Sequence, residues 1–192
     1  VYILKETGEI VDNCQKRPQR LFEERELSVD ECAGYLQKAI NLLKSQTAAS
    51  DASEGTLKVI ITVSPIRYAK YGYHGSQLSK ATLLLAADKL VKENPGVVSY
   101  FPAYEIMNDE LRDYRFYKED MLHPSEQAVE YIWERFRATY FSKEAEQFLE
   151  DWRPIREALG HKPFHPESEE HQKFIARTEE KKRQFEERYH LL

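Results

Sequence analysis

Apolar residues recur along this chain with two different periods, and their alternation outlines an α/β protein. Leu57-Lys58-Val59-Ile60-Ile61-Thr62-Val63 is a short β-branched run that ends at Ser64-Pro65. Its length and composition are those of a buried parallel strand. Val97-Val98-Ser99-Tyr100-Phe101 is a second apolar run, closed by Pro102. Between the two, Ser79 to Lys92 has helical spacing, with Leu83, Leu84, Ala87, Leu90 and Val91 inward, and Asn94-Pro95-Gly96 stops it. Two such runs around one amphipathic helix predict a βαβ unit, its strands adjacent and parallel. The beginning of the chain differs: Val1 to Leu4, the turn-like Thr7-Gly8-Glu9 and the pair Ile10-Val11 predict a hairpin or a strand with a short return.

Other helices are signalled by their caps. Ser28-Val29-Asp30-Glu31 is a capping box, with Leu27 placed as a hydrophobic staple. The helix it opens is expected to run to about Ser45 and to bury Cys32, Tyr35, Leu36, Ala39, Leu42 and Leu43. Thr47 to Gly55 is small and polar and reads as a surface loop. Tyr68 to Gln77, rich in tyrosine and glycine and containing His74, reads as a loop whose aromatics serve either packing or a binding-site rim. Asp109 to Tyr117 has no clean period and reads as an ordered loop, with Arg112, Asp113 and Arg115 suited to a surface ion network. Pro124 fits the first position of a helix that continues through Val129, Ile132, Trp133 and Phe136 to about residue 140. Ser142 starts another, with Phe148, Leu149, Trp152 and Ile155 as its apolar stripe and Pro154 as a kink point. Gly160 to Pro166 reads as a linker. The tail from Glu167 to Tyr189 is strongly charged, with sparse apolar positions at Phe174, Ile175 and Phe185. A helix of that kind buries little; it lies across a surface, projects into solvent or pairs with another subunit. The expected division is an α/β domain over 1–141 and a helical extension over 142–192.

Composition narrows the partners. With 192 residues, 41% hydrophobic and 32% charged, the chain suits one core under a well-solvated surface. A net charge of −5 and a pI near 5.8 speak against nucleic acid or an anionic membrane as partner. No apolar run approaches the roughly 20 residues that span a bilayer. Cys14 and Cys32 are too few for a disulfide framework, and reduced thiols in a cytoplasmic protein are the expectation.

The candidate chemistry gathers in Arg115-Phe116-Tyr117-Lys118-Glu119-Asp120-Met121-Leu122-His123-Pro124-Ser125. An Asp and a His spaced D-x-x-H in the turn before a helix can face each other. The carboxylate then takes the Nδ1 proton, leaving Nε2 free to draw a proton from a nucleophile. That nucleophile, a Ser or Cys, must come from elsewhere in the fold. The same spacing also suits a helix-capping Asp120 beside a surface His123. Ser64 and Arg67 follow a strand at its carboxyl edge, where α/β folds place ligands. Ser64 is either a turn residue before proline or a nucleophile. Arg67 is either a solvated charge or a planar donor fork for an anionic or ester-bearing substrate. Asn13, in the polar loop Asp12 to Pro18, can donate to an oxyanion or hold a turn; the adjacent Cys14 has no base identifiable nearby. His161, His165, His171 and His190 lack a tight ligand pattern, so neither a metal nor another cofactor is expected.

Several long stretches, in order, carry a family resemblance. They are Thr62-Val63-Ser64-Pro65-Ile66-Arg67, Gln77 to Leu83, Tyr100-Phe101-Pro102-Ala103-Tyr104-Glu105-Ile106, Asp109 to Tyr117 and Asp120 to Ser125. Together they resemble the GSCFA domain family over roughly residues 1–140. That family is similar to the SGNH/GDSL hydrolases, flavodoxin-like enzymes whose last conserved block is a D-x-x-H. The resemblance implies an α/β fold with a three-layer, parallel-stranded core, followed here by C-terminal helices. It also implies a bacterial-type ester hydrolase or acyltransferase in which Asp120 orients His123. The substrate implied is an acyl ester of a small molecule or carbohydrate. Arg67, Asn13 and Ser64 are placed to bind substrate or oxyanion. The Gly-Ser-Cys-Phe-Ala stretch that names the family, and would carry the nucleophilic serine, does not occur in this sequence. The expectation is therefore an N-terminally truncated domain, inactive alone, with an exposed sheet edge or the C-terminal helix available for homo-oligomerisation. The alternative is a non-catalytic binding protein with a helical assembly tail.

Overall fold

Among residues 1–11, 14–49, 57–163 and 167–191, which the structure (a computed structural model) describes, β-structure is confined to five short strands. β1 (Tyr2–Leu4) and β2 (Glu9–Val11) form the antiparallel hairpin, with Tyr2 opposite Val11. β3 (Phe22–Glu24) adds to the other side of β1, pairing Leu4 with Phe22. No pattern announced β3, because only Phe22 of its three residues is buried. Lys70 pins this sheet: its ammonium donates to Glu24 Oε1 at 2.6 Å and to the phenol oxygens of Tyr2 and Tyr71.

β4 (Val59–Thr62) and β5 (Val98–Phe101) pair in parallel, with Val59 beside Val98 and Thr62 beside Phe101. The helix between them, α2 (Gly72–Glu93), packs with α1 (Val29–Ala49) over one face of the pair. Ala33 and Ile40 of α1, Ala86 and Leu90 of α2, and Val98 form that buried core, with Val59 and Ile61 packed against it. The small side chains of Ala33 and Ala86 let the helices approach closely. The fold is thus mixed α/β, dominated by helix, with a small parallel sheet.

Several expectations are corrected. β4 is only half buried, because the described sheet has two strands and Ile60, on the face away from the core, stays 39% exposed. The capping box forms as drawn, Ser28 Oγ accepting from Glu31 N and Glu31 Oε2 from Ser28 N. The helix it opens runs past Ser45, however, and turns a different stripe inward. Ala33 and Ile40 are buried, while Tyr35, Leu36, Leu42 and Leu43 are exposed. That extra length takes in Thr47 to Ala49 of the expected surface loop; residues 50–55 lie outside the described residues. α2 begins at Gly72, so most of the expected tyrosine-glycine loop is helix, with Leu83 outward and Ser76 and Lys80 inward. After the short α3 (Ala103–Glu105), a π-helical turn, Ile106–Leu111, takes in the start of the loop expected from Asp109 to Tyr117. Met107 and Leu111 draw that turn down onto Ala128. α4 (Glu126–Tyr140) starts after Pro124, because Pro124 bridges back to Tyr117 and Ser125 caps the helix.

The described residues divide into two compact units, Val1–Ile132 and Trp133–Leu192. In the second, α5 (Lys143–Gly160) is capped by Ser142 and carries Pro154 without interruption. α6 (Glu169–Arg188) meets it through a ring cluster of Phe148, Trp152, Phe185 and Tyr189. Phe185 and Thr178 are buried there, whereas Phe174 and Ile175 stay exposed. Gly160, expected in the linker, ends α5, and residues 164–166 lie outside the described residues.

Candidate functional site

The backbone from Phe116 to Ser125 closes on itself. Lys118 N donates to His123 O at 2.8 Å, and Ser125 N donates to Phe116 O at 2.7 Å. The Tyr117–Pro124 bridge lies between these bonds. Turning the chain within so short a loop puts Met121 in the left-handed region, at φ 61°, which a side chain with a Cβ seldom adopts.

Asp120 organises this loop with both carboxylate oxygens. Oδ1 accepts the backbone N–H groups of Leu122 at 2.9 Å and His123 at 3.0 Å. Oδ2 lies 2.5 Å from His123 Nδ1. The backbone bonds from His123 and Leu122, then the imidazole itself, hold the Asp120 carboxyl down to a pKa of about 2. An ionised carboxylate only accepts, so Nδ1 carries the proton, and in the neutral ring Nε2 keeps its lone pair. Chemically, the pair can orient a base and stabilise the imidazolium it becomes. Asp120 does not cap α4, which Ser125 does; it caps the turn and holds the ring at once. The His123 side chain is 55% exposed.

Arg67 is joined to this turn directly. Its N–H donates to Leu122 O at 3.0 Å, stitching the loop after β4 to the residue before His123. Its guanidinium lies 4.0 Å from the Tyr117 ring centre and 5.3 Å from that of Tyr114. Beside it opens a cavity of about 210 Å³, lined by Arg67, Asn108, Arg112, Asp113, Tyr114 and Tyr117 among others. Neither Asp120 nor His123 lines that cavity, and both side chains are exposed to solvent.

Ser64 is held elsewhere. Its Oγ accepts from Ile66 N at 3.3 Å, and its carbonyl accepts from Lys80 Nζ at 2.5 Å. Among the described residues no hydrogen bond joins it to His123. Asn13 lies outside the described residues. Cys14 and Cys32 are free thiols in separate cavity walls, and His74 stands exposed on the first turns of α2. The ion network expected of Arg112, Asp113 and Arg115 reduces to one pair, Arg115 to Asp113 at 3.6 Å, because the π-helical turn directs Arg112 to the cavity instead.

Two contributors escaped the sequence reading. Lys80 is buried against Tyr104, and burial pulls its pKa down. Its signal was available, since positions 76, 80, 87 and 90 share one helical face. Tyr117 had none, because its role comes from stacking across loops.

The model of the GSCFA family matches residues 1–136, and that of the GSCFA domain protein, C-terminal domain, matches residues 152–191. No curated protein and no solved structure matches the chain.

Proposed function

From the premise that this chain belongs to the GSCFA family, we propose that Asp120 and His123 are the acid–base half of an SGNH-like ester hydrolase or acyltransferase site. The observation that carries the reading is the 2.5 Å contact between Asp120 Oδ2 and His123 Nδ1, with the imidazole open to solvent. In this reading a serine hydroxyl attacks the ester carbonyl while His123 Nε2 takes its proton. The imidazolium, held by Asp120, then gives that proton to the departing alkoxide. A second alcohol or water repeats the sequence on the acyl-enzyme. The serine is that of the Gly-Ser-Cys-Phe-Ala stretch, which this sequence does not contain. The parallel β4–β5 pair under α1 and α2 is read as part of a three-layer, flavodoxin-like core. The substrates are acyl esters of small molecules or carbohydrates.

The test is hydrolysis of 4-nitrophenyl acetate by a polypeptide carrying that stretch ahead of these residues, with and without His123→Ala. A loss of at least about a thousandfold in kcat/KM is expected, as for any triad base. An unchanged rate removes His123 from the chemistry. The 192-residue chain alone is expected to hydrolyse the ester at background rate. Robust turnover by it would move the nucleophile to Ser64 or Cys14, which Ser64→Ala and Cys14→Ala separate.

A second reading, a binding module without turnover, draws on the exposed apolar side chains of α1 and α2, among them Leu42 at 60% and Leu85 at 58%. It expects no ester turnover from either polypeptide.

A further inference from the structure

We propose that the cavity beside the His123 turn is an oxyanion subsite, in which Arg67 and Arg112 receive a carboxylate or phosphate group carried by the substrate. Arg67 is half-buried against the Tyr117 ring, with the Tyr114 ring to one side, yet it makes no ion pair with any described residue. A ring contact occupies none of a guanidinium's N–H donors, and a partly desolvated cation without a counter-ion is costly to keep. Arg112 lines the same cavity and likewise has no ion pair among the described residues. It is held there by the end of the π-helical turn, where its backbone sits at φ 52° and its N–H donates to Met107 O at 3.2 Å. The carboxylate on the wall, Asp113, is already engaged, accepting from Arg115 N at 2.9 Å and facing Arg115 Nε at 3.6 Å. Asn108 gives its amide N–H to Tyr104 O at 2.7 Å. The cavity is therefore left with two unmatched guanidinium forks, the group best shaped for bidentate oxyanions.

Size and position agree with that occupant. At roughly 30 Å³ per water, about 210 Å³ holds an oxyanion with a few atoms of its carrier. Arg67 N is bonded to Leu122 O, and Tyr117, under the guanidinium, bridges to Pro124. Both anchors thus grip residues that flank His123, so the subsite and the imidazole are held by one turn. Calling the anion's carrier a substrate rests on the esterase reading; anion binding itself does not.

The experiment titrates the 192-residue chain with monomethyl succinate, methyl phosphate and neutral dimethyl succinate, following amide NMR shifts at Arg67, Arg112 and Tyr117. One or both anions are expected to bind at least about tenfold more tightly than the diester, the ratio telling carboxylate from phosphate. Arg67→Met, which keeps the apolar stem, is expected to erase the preference, and Arg112→Asn, tolerant of the left-handed backbone, to weaken it several-fold. His123→Ala is expected to retain it. If Arg67→Met fails to fold, Arg67→Lys replaces it and is expected to keep part of the preference. Equal binding of anions and diester, or a preference that survives loss of the Arg67 charge, overturns the subsite. A preference without ester turnover by the polypeptide that carries the Gly-Ser-Cys-Phe-Ala stretch overturns the esterase reading alone, and turnover by that polypeptide without a preference overturns the subsite alone.

Discussion

At Asp120 one carboxylate oxygen holds the backbone of the turn while the other holds the imidazole of His123. Its folded-state pKa, about 2, lies below that of an unfolded aspartate. The ionised group therefore stabilises the turn above about pH 4, and that contribution disappears as pH falls through about 2. The amide resonances of Leu122 and His123 are expected to shift together over this window in the wild-type chain and to stay flat in Asp120→Asn. Shifts that ignore the window would show that the carboxylate does not hold the turn. Glu31, in the capping box, is also held near 2, chiefly by the Ser28 N–H, so global stability reports both acids and only local amides separate them. The D-x-x-H spacing made the pair legible in the sequence. The sharing of one carboxylate between backbone and ring was not, because it depends on a left-handed Met121 that no propensity favours.

Among the elements, α2 shows best what a pattern conceals. Gly72 and Gly75 gave its first turns the appearance of a loop, yet Gly72, at φ 70°, opens α2 and Gly75 lies within it. At Gly75 the reason is steric: a Cβ would come within 2.7 Å of Tyr71 Cβ, an atom too close to the backbone to swing aside. Gly75→Ala sets a helix-propensity gain of about 1 kcal/mol against an overpacking cost of about 1–3 kcal/mol. Net destabilisation is expected, read as a lower urea midpoint at unchanged slope. A raised midpoint would mean that Tyr71 yields. On α1 the apolar residues outnumber the inward positions, and the stripe through Tyr35, Leu36, Leu42 and Leu43 was the one expected inward. The core took a different one, led by Ala33 and Ile40, whose small residue permits close approach of α2. Helix type and caps were readable there, but the buried face was decided by the partner.

For the molecule as a whole, the βαβ order was legible because hydrophobic period and punctuation agreed from Leu57 to Pro102, and the structure has that parallel pair. β3 and the π-helical turn were not, since Phe22 and Met107 are fixed by neighbours distant in sequence. The web at Lys70 is of the same long-range kind, one ammonium joining Tyr2 and Glu24. Its bonds to Glu24 and Tyr2 raise the lysine's pKa, so its nucleophilic free-base form is scarcer than solvent exposure alone implies. An acylating reagent therefore ranks the lysines of the native chain by tertiary bonding. Lys162, exposed and without an ion pair among the described residues, should label quickly. Lys70 should label slowly although it too lies at the surface, and the difference should vanish in urea. Equal labelling before unfolding would show that the web does not persist in solution. Where Lys70 does become acylated, the lost charge releases two separate stretches of chain at once, at Tyr2 and Glu24, turning a surface modification into a lesion of the β1–β3 sheet.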